Sequence, residues 1–332
     1  MSQKVKDTEY LSISTRIRAM ENRLLTRERM ERMLDARTDD EAAKILAECG
    51  YAELPRITPS ALDAVLSQAR EEIYRDLSGA VPNPGLVDVF RIKYDYHNAK
   101  VLVKSRMVGA DPARLLVQGG RCDPQCLRED FEKDELSGYT PAFRAALAEA
   151  GAVMGASGDP QGADMVLDRA CFAEMLQAAR QAGSSFLEGY VRLSIDAANL
   201  RSAVRAARMG RGADFLARVL LPGGNVAPER IAGAKAGELA ALFSGALGEA
   251  AALGGTLAAP GSGRLTEFER QCDNALMGYM AQARRIPFGE QPVVAYLAAR
   301  ESEFTAVRII LSGRMEHLGA DVIRERLRDA YV

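Results

Sequence analysis

The hexapeptide DYHNAK occupies residues 95–100, and two related hexapeptides follow it, DAANLR at 196–201 and EFTAVR at 303–308. In each, an acidic residue is followed three positions later by Asn or Ala and, two positions after that, by a basic residue. The three copies consist of Asp95, Asn98 and Lys100; Asp196, Asn199 and Arg201; and Glu303, Ala306 and Arg308. The copies are 101 and 107 residues apart, which indicates an internal repeat.

Other short elements recur in the same order and at similar steps. LAECG, LAEAG and LGEAA begin at residues 46, 147 and 247, Gly-Gly occurs at 119–120 and 223–224, and Gly-Ala-Asp occurs at 109–111, 212–214 and 319–321. The repeat therefore predicts three homologous units, at residues 1–108, 109–211 and 212–316, followed by a tail at 317–332.

Helical patterning dominates the chain. One amphipathic stripe is formed by Leu62, Val65, Leu66, Ala69, Ile73 and Leu77. Five Pro residues directly follow a Thr or Asp that suits a helix N-cap, in the pairs Thr58-Pro59, Asp111-Pro112, Asp123-Pro124, Thr140-Pro141 and Asp159-Pro160. Aromatic residues make up only 6% of the chain, so strand formers are sparse. The fold is predicted to be all-α.

The repeated polar motif has two interpretations. Residues three positions apart lie on the same face of a helix. Asp95 and Asn98 therefore share one face, and so do Asp196 and Asn199. This polar patch makes a repeated hydrogen bond between helices, which is the favoured interpretation, or lines a pseudo-threefold axis, and the two interpretations are compatible. Ala306 replaces Asn in the third copy, which makes a polar ring incomplete there.

Motifs that carry enzymatic chemistry are missing from the sequence. There is no GxxxxGK[ST], GxGxxG, HExxH or GxSxG. Cys122 and Cys126 have the spacing of half a metal site, but no second pair completes four ligands. We therefore expect no catalytic, cofactor or metal site.

Charge and hydropathy limit the partners. A net charge of −2 gives no bulk attraction to nucleic acid or anionic membranes. No stretch is apolar enough to span a bilayer, and the N-terminus lacks a secretory signal. These features predict a soluble cytoplasmic protein.

Three segments carry a resemblance to a known family. PNPGLVDVFRIKYDYHNAKVLVKSR (82–106) resembles the hallmark segment of the C subunits of the V/A-type ATP synthases, a family related to the d subunit of the eukaryotic vacuolar ATPase. EFTAVRIILSGRMEHLGADVIRERLRDAYV (303–332) is similar to the closing segment of that family, and YLSISTRIRAMENRLLTRERMERML (10–34) is similar to its opening helix.

The resemblance implies a non-catalytic, funnel-shaped protein of three helical domains with pseudo-threefold symmetry. Its partners would be the proteolipid ring of the membrane sector and the central-shaft subunits of the ATP-hydrolysing sector. It would then be a socket in the rotor of a proton- or sodium-translocating complex, peripheral to the membrane on the cytoplasmic side. The alternative is a helical-repeat scaffold for soluble protein partners.

Overall fold

The computed structural model describes residues 5–332, so residues 1–4 of the expected first unit lie outside it. The described residues form sixteen α-helices and no strand. The helices are α1 Leu11–Glu21, α2 Arg27–Asp35, α3 Asp39–Glu48, α4 Pro59–Ala80, α5 Gly85–Val108, α6 Pro124–Lys133, α7 Pro141–Ser157, α8 Pro160–Gln181, α9 Ser185–Arg208, α10 Ala213–Val219, α11 Pro228–Ala232, α12 Leu239–Leu242, α13 Gly248–Leu257, α14 Thr266–Ala281, α15 Glu290–Met315 and α16 Ala320–Arg324. Short 3₁₀ turns occur at Asp7–Tyr10, Leu136–Gly138, Ala236–Glu238 and Gln282–Arg285. The prediction of an all-α fold is confirmed.

Four of the five predicted Pro-led helix starts are confirmed. Thr58, Asp123, Thr140 and Asp159 each cap a helix through a side-chain oxygen that accepts a backbone N–H of the first turn. The fifth prediction, at Asp111-Pro112, is wrong, because only a turn follows there. Leu115 and Leu116 donate to the Pro112 carbonyl, and the chain reaches Gly119-Gly120 before a helix can propagate.

The three copies of the motif lie on three long helices, α5, α9 and α15. Each of these helices follows another helix after a short connection, α4 before α5, α8 before α9 and α14 before α15. Within the first two pairs the connection is only residues 81–84 and 182–184, so the chain reverses direction between the helices.

Each motif helix also packs against the leading helix of another pair, α5 against α8, α9 against α14 and α15 against α4. These contacts join residues whose numbers rise along one helix as they fall along the other: Lys104–Asp164, Lys100–Asp168 and Tyr96–Glu174; Arg205–Glu269 and Arg201–Asp273; Arg308–Asp63 and Glu301–Tyr74. Because the two helices of each of the pairs named above run in opposite senses, α5, α9 and α15 all run in the same sense.

The apolar interior has two parts. The larger contains the buried side chains of α1–α8 and α15, with fully buried Ile17, Leu66 and Val307 among them. The smaller lies between α9, α11, α13 and α14 around Phe268 and Cys272, both fully buried. The motif helices therefore carry apolar side chains on several faces, and the acids and asparagines of the motif are surrounded by protein.

Within residues 5–332, no helix combines the length and the apolar character that crossing a membrane requires.

Candidate functional site

The three motif carboxylates are buried, with exposed fractions of 0% for Asp95, 3% for Asp196 and 4% for Glu303. Burying an ionised carboxylate costs free energy unless hydrogen bonds and charges compensate it. Each of the three accepts hydrogen bonds from the segment that leads into another helix. Each motif acid therefore joins its own motif helix to the start of a second helix.

Asp95 binds the turn before α6. Its carboxylate accepts from Arg121 Nε at 2.7 Å and from the backbone N–H of Cys122 at 3.2 Å. Arg121 also donates to Glu174 of α8 at 2.9 Å, and Tyr96 donates to Glu174 at 2.7 Å. A buried carboxylate, a guanidinium and a second carboxylate thus connect α5, α8 and the turn into α6.

Asp196 binds the corresponding turn before α11, but without a cation. Its oxygens accept from the backbone N–H of Asn225 at 2.9 Å, from Asn225 Nδ2 at 2.8 Å and from the backbone N–H of Val226 at 3.1 Å. Asn225 therefore occupies the place that Arg121 occupies beside Asp95.

Glu303 binds a segment near the start of the described chain. It accepts from the backbone N–H of Leu25 at 2.6 Å, from the Tyr51 hydroxyl at 2.6 Å and from the Arg300 guanidinium. Leu25 directly precedes Thr26, the N-cap of α2, just as Cys122 precedes the N-cap of α6 and Val226 that of α11. The third carboxylate thus ties α15 to α2.

The two motif asparagines each pair with a backbone segment outside the helices. Asn98 donates to the Val117 carbonyl and accepts from the Val117 N–H, both at 2.9 Å. Asn199 makes the same pair with Leu221, at 2.8 and 2.7 Å. A side-chain amide satisfies both groups of one residue, which a buried chain outside a helix needs.

The same spacing along the chain explains why the third copy of the motif has Ala306 where the first two copies have Asn. Val117 lies five residues before Cys122 and Leu221 five residues before Val226, and the position five before Leu25 is Met20. Met20 lies within α1, where helical hydrogen bonds serve the backbone. The backbone of Met20 therefore needs no side-chain amide as a partner.

The motif bases each pair with an aspartate on another helix. Lys100 binds Asp168 at 2.5 Å, Arg201 binds Asp273, and Arg308 binds Asp63 at 2.6 Å. These three aspartates were missed at the sequence level. Their spacing of 105 residues at both steps is the signal that could have revealed them.

A further polar group joins α5, α15 and α4 and was also missed. Glu301 accepts from Lys93 Nζ and from the hydroxyls of Tyr74 and Tyr94. Despite the cost of burial, these donors hold the pKa of Glu301 below its usual value, and the pKa of Tyr94 is raised to about 12, chiefly by burial. Lys93 and Glu301 each lie two residues before a motif acid.

Burial raises the pKa of both Asp95 and Asp196, and their hydrogen-bond donors oppose that shift. Burial also raises the pKa of the Cys122 thiol to about 12. At neutral pH this thiol is therefore protonated. No group of three or more His, Cys, Asp or Glu side chains in residues 5–332 is arranged to hold a metal ion.

The repeated glycines are explained by the motif acids. Gly119 and Gly223 have φ values of +106° and +97°. A Cβ added to Gly120 would lie 2.3 Å from Asp95 Oδ1, and one added to Gly224 would lie 2.2 Å from Asp196 Oδ1. Each buried carboxylate therefore packs directly on a glycine. The Gly-Ala-Asp elements are less uniform, because Gly109 ends α5 whereas Gly212 and Gly319 precede α10 and α16.

Substituting Gly120 by Ala is expected to lower the free energy of unfolding by about 1–3 kcal/mol, because the new methyl group displaces Asp95 from its donors. Urea denaturation of the variant measures the loss. Gly138→Ala serves as the control, since an added Cβ there meets no atom within 4 Å. An equal effect at the two glycines would contradict the assigned contact.

All three motif acids, both asparagines and all three bases make contacts between separate elements. These contacts favour the packing interpretation of the motif over the axial lining.

The family model and the similar proteins that match this chain all belong to one family. The family model described as ATP synthase (C/AC39) subunit matches residues 13–326. The C subunit of the V-type sodium ATPase of Enterococcus hirae is 24% identical over 327 residues, which cover 97% of this chain and 99% of the relative. The C subunit of the V-type ATP synthase of Thermus thermophilus is 24% identical over 321 residues (94% and 95%), and that of the A-type ATP synthase of Halorubrum lacusprofundi is 26% identical over 267 residues (73% of each).

Proposed function

The chain belongs to the ATP synthase (C/AC39) subunit family, and on that premise we propose that it is the rotor socket that couples the proteolipid ring to the central shaft. As a member of this family it is a non-catalytic subunit of a V/A-type rotary ATPase, and its partners are other subunits of that complex. This membership sets aside the alternative of a scaffold unrelated to a membrane complex. The proposed location is the cytoplasmic side of the membrane, peripheral to it within the assembly.

The observation that carries the proposal is the cyclic order of the helix contacts. The chain of packed neighbours runs from α4 through α5, α8, α9, α14 and α15 and returns to α4. We propose that this cycle corresponds to three units at 1–108, 109–211 and 212–316, arranged with pseudo-threefold symmetry as a funnel, with 317–332 as a tail. Because α15 also contacts α5 and α9 across this cycle, we propose that one end of the packed cycle is the seat for a coaxial shaft.

Stiffness supports a role in transmitting torque. Packed protein interiors have low compressibility, and buried contacts between units do not yield to small forces. The Asp95–Arg121–Glu174 group and the Glu303 contacts lie at two different places in the cycle. We propose that the motif residues are structural and hold the units in register while the rotor turns.

Exposed apolar side chains indicate where one partner docks. Six of the eight large hydrophobic residues exposed in the described chain follow or end a motif helix: Met107, Val108, Leu115, Met209, Leu318 and Val322. Because α5, α9 and α15 run in the same sense, their carboxyl ends lie at one end of the molecule. We assign this end to the proteolipid ring, since a ring repeats one surface about its axis and these side chains recur at three helix ends.

The test is co-purification. The wild-type chain is expected to bind both the detergent-solubilised proteolipid ring and the central-shaft subunits. A double variant, Met107→Glu with Met209→Glu, should lose the ring and keep the shaft. Gln181→Glu, an exposed residue at the end of α8, is the matched control and should keep both.

Two results count against the proposal in different ways. If the wild-type chain binds neither partner while the rest of the complex stays assembled, the socket function is wrong. If the double variant loses the shaft and keeps the ring, or keeps both, the assignment of the two ends is wrong.

A further inference from the structure

A groove of about 380 Å³ lies between α5, α6 and α7. Its floor is the face of α7 that carries Gly151 and Gly155, and its walls include Met107 of α5 and Phe131 of α6. Both glycines are exposed, and a Cβ added to either would meet no atom within 4 Å. No other part of the described chain therefore packs on these two positions.

The related helix of the third unit is covered at the same position. LAEAG in α7 recurs 100 residues later as LGEAA at the start of α13, so Gly155 corresponds to Gly255. A Cβ added to Gly255 would lie 2.8 Å from the carbonyl oxygen of Ala236, in the 3₁₀ turn Ala236–Glu238. In the third unit, a turn of the chain itself thus packs its backbone on the glycine.

The groove stays open in the second unit because the chain before α7 is longer. Leu136, in the corresponding 3₁₀ turn, lies 12 residues after Pro124, the first residue of α6. In the third unit, Ala236 lies only 8 residues after Pro228, the first residue of α11. The additional residues lengthen α6 by about one turn. Leu136 consequently lies on the wall of the groove and not on Gly155.

Two cations line the groove without an acidic partner. Arg106 stacks on Phe131, with its Cζ 3.7 Å from the ring centroid, and donates to the Phe131 carbonyl. Among the residues that the structure describes, neither Arg106 nor Arg144 has a carboxylate oxygen within 4 Å. Asp134 is the one acid among the lining residues, so the lining has an excess of positive charge.

The groove reaches the end of the molecule that we assign to the proteolipid ring. α7 and α8 pack together and are joined by residues 158–159 alone, so they run in opposite senses. Because α8 also runs opposite to α5, α7 runs in the same sense as α5. Met107 and Gly155 both line the groove, and each lies in the last turn of its helix.

We propose that this groove binds an acidic loop of a proteolipid subunit. The inference rests on the proposed function, since it names the contact between this chain and the ring. The loop packs its backbone on Gly151 and Gly155, because only glycine lets another backbone approach a helix so closely. An acidic side chain of the loop pairs with Arg106 and Arg144, whose planar guanidinium groups match a carboxylate. The turn that packs on Gly255 is the precedent within this chain.

Gly155→Leu tests the groove by filling it from its floor. The variant should melt at or above the wild-type temperature, because glycine is the weaker helix former and an added Cβ meets no atom of the chain. In titrations with the detergent-solubilised proteolipid ring, we expect the apparent Kd to rise at least ten-fold, while binding of the central-shaft subunits stays unchanged.

Gly278→Leu is the matched control. Gly278 is also exposed within a helix, and a Cβ added there meets no atom within 4 Å. It lies near the carboxyl end of α14, which runs opposite to α9, and so lies away from the end assigned to the ring. This variant should bind the ring as the wild-type chain does.

Arg144→Glu tests the charge of the partner. Reversing an exposed cation in the groove should raise the apparent Kd for the ring at least five-fold at low salt, because the loop then meets a like charge. Arg285→Glu is the control, since Arg285 is exposed just before α15 begins and does not line the groove.

The outcomes separate this inference from the proposed function. If the wild-type chain does not bind the ring, the proposed function fails and the inference fails with it. If the wild-type chain binds the ring and Gly155→Leu binds it equally well, the groove inference alone is overturned. Loss of the shaft with retention of the ring by Gly155→Leu, or undiminished ring binding by Arg144→Glu, would also overturn it.

Discussion

Replacing Glu303 by alanine is expected to lower the free energy of unfolding by roughly 3–5 kcal/mol, the largest effect of any substitution in the motif. Arg300 is only 8% exposed, and its guanidinium would lose its carboxylate partner. The Leu25 N–H and the Tyr51 hydroxyl would lose their acceptor in the same buried place. An uncompensated charge and two unsatisfied donors each destabilise a core.

Urea denaturation followed by circular dichroism measures this effect. Glu316→Ala is the control, because Glu316 is exposed just beyond the end of α15. A loss below about 1 kcal/mol for Glu303→Ala, the size expected of an exposed ion pair, would show that α15 and α2 are not joined through this carboxylate.

Replacing Asp95 by alanine is expected to cost about 3 kcal/mol. Arg121 would keep Glu174 but lose its second carboxylate, and the Cys122 N–H would lose its acceptor. The turn into α6 would then lose its main contact with α5.

The comparison of Asp95→Asn with Asp196→Asn separates charge from shape. Asparagine preserves the size of the side chain in both, but of the two acids only Asp95 forms a salt bridge, with Arg121. We expect the melting temperature to fall further for Asp95→Asn than for Asp196→Asn. The reverse order would contradict the assigned difference between the two motif acids.

The sequence was sufficient for the helical class, for most helix starts and for the existence of the repeated motif. Periodic apolar residues and Thr-Pro or Asp-Pro caps are local signals, so Thr58 and Asp159 could be interpreted without a structure. The Asp111-Pro112 prediction failed because a cap signal starts a helix only where the following residues can continue it.

The partners of the motif could not be predicted in the same way. Lys100 and Asp168 lie on different helices, as do Glu303 and Leu25, and helical spacing carries no information about contacts between helices. The reason for Ala306 was equally hidden, because Met20, the position that corresponds to Val117 and Leu221, lies within α1 rather than outside the helices.

Coupling between ATP hydrolysis and ion transport tests the central claim most directly. In membrane vesicles carrying the complex, omission of this chain is expected to leave ATP hydrolysis by the soluble sector while ATP-driven ion transport falls to background, and adding the purified chain should restore transport. Ion transport that continues undiminished without the chain would contradict its proposed place between the ring and the shaft.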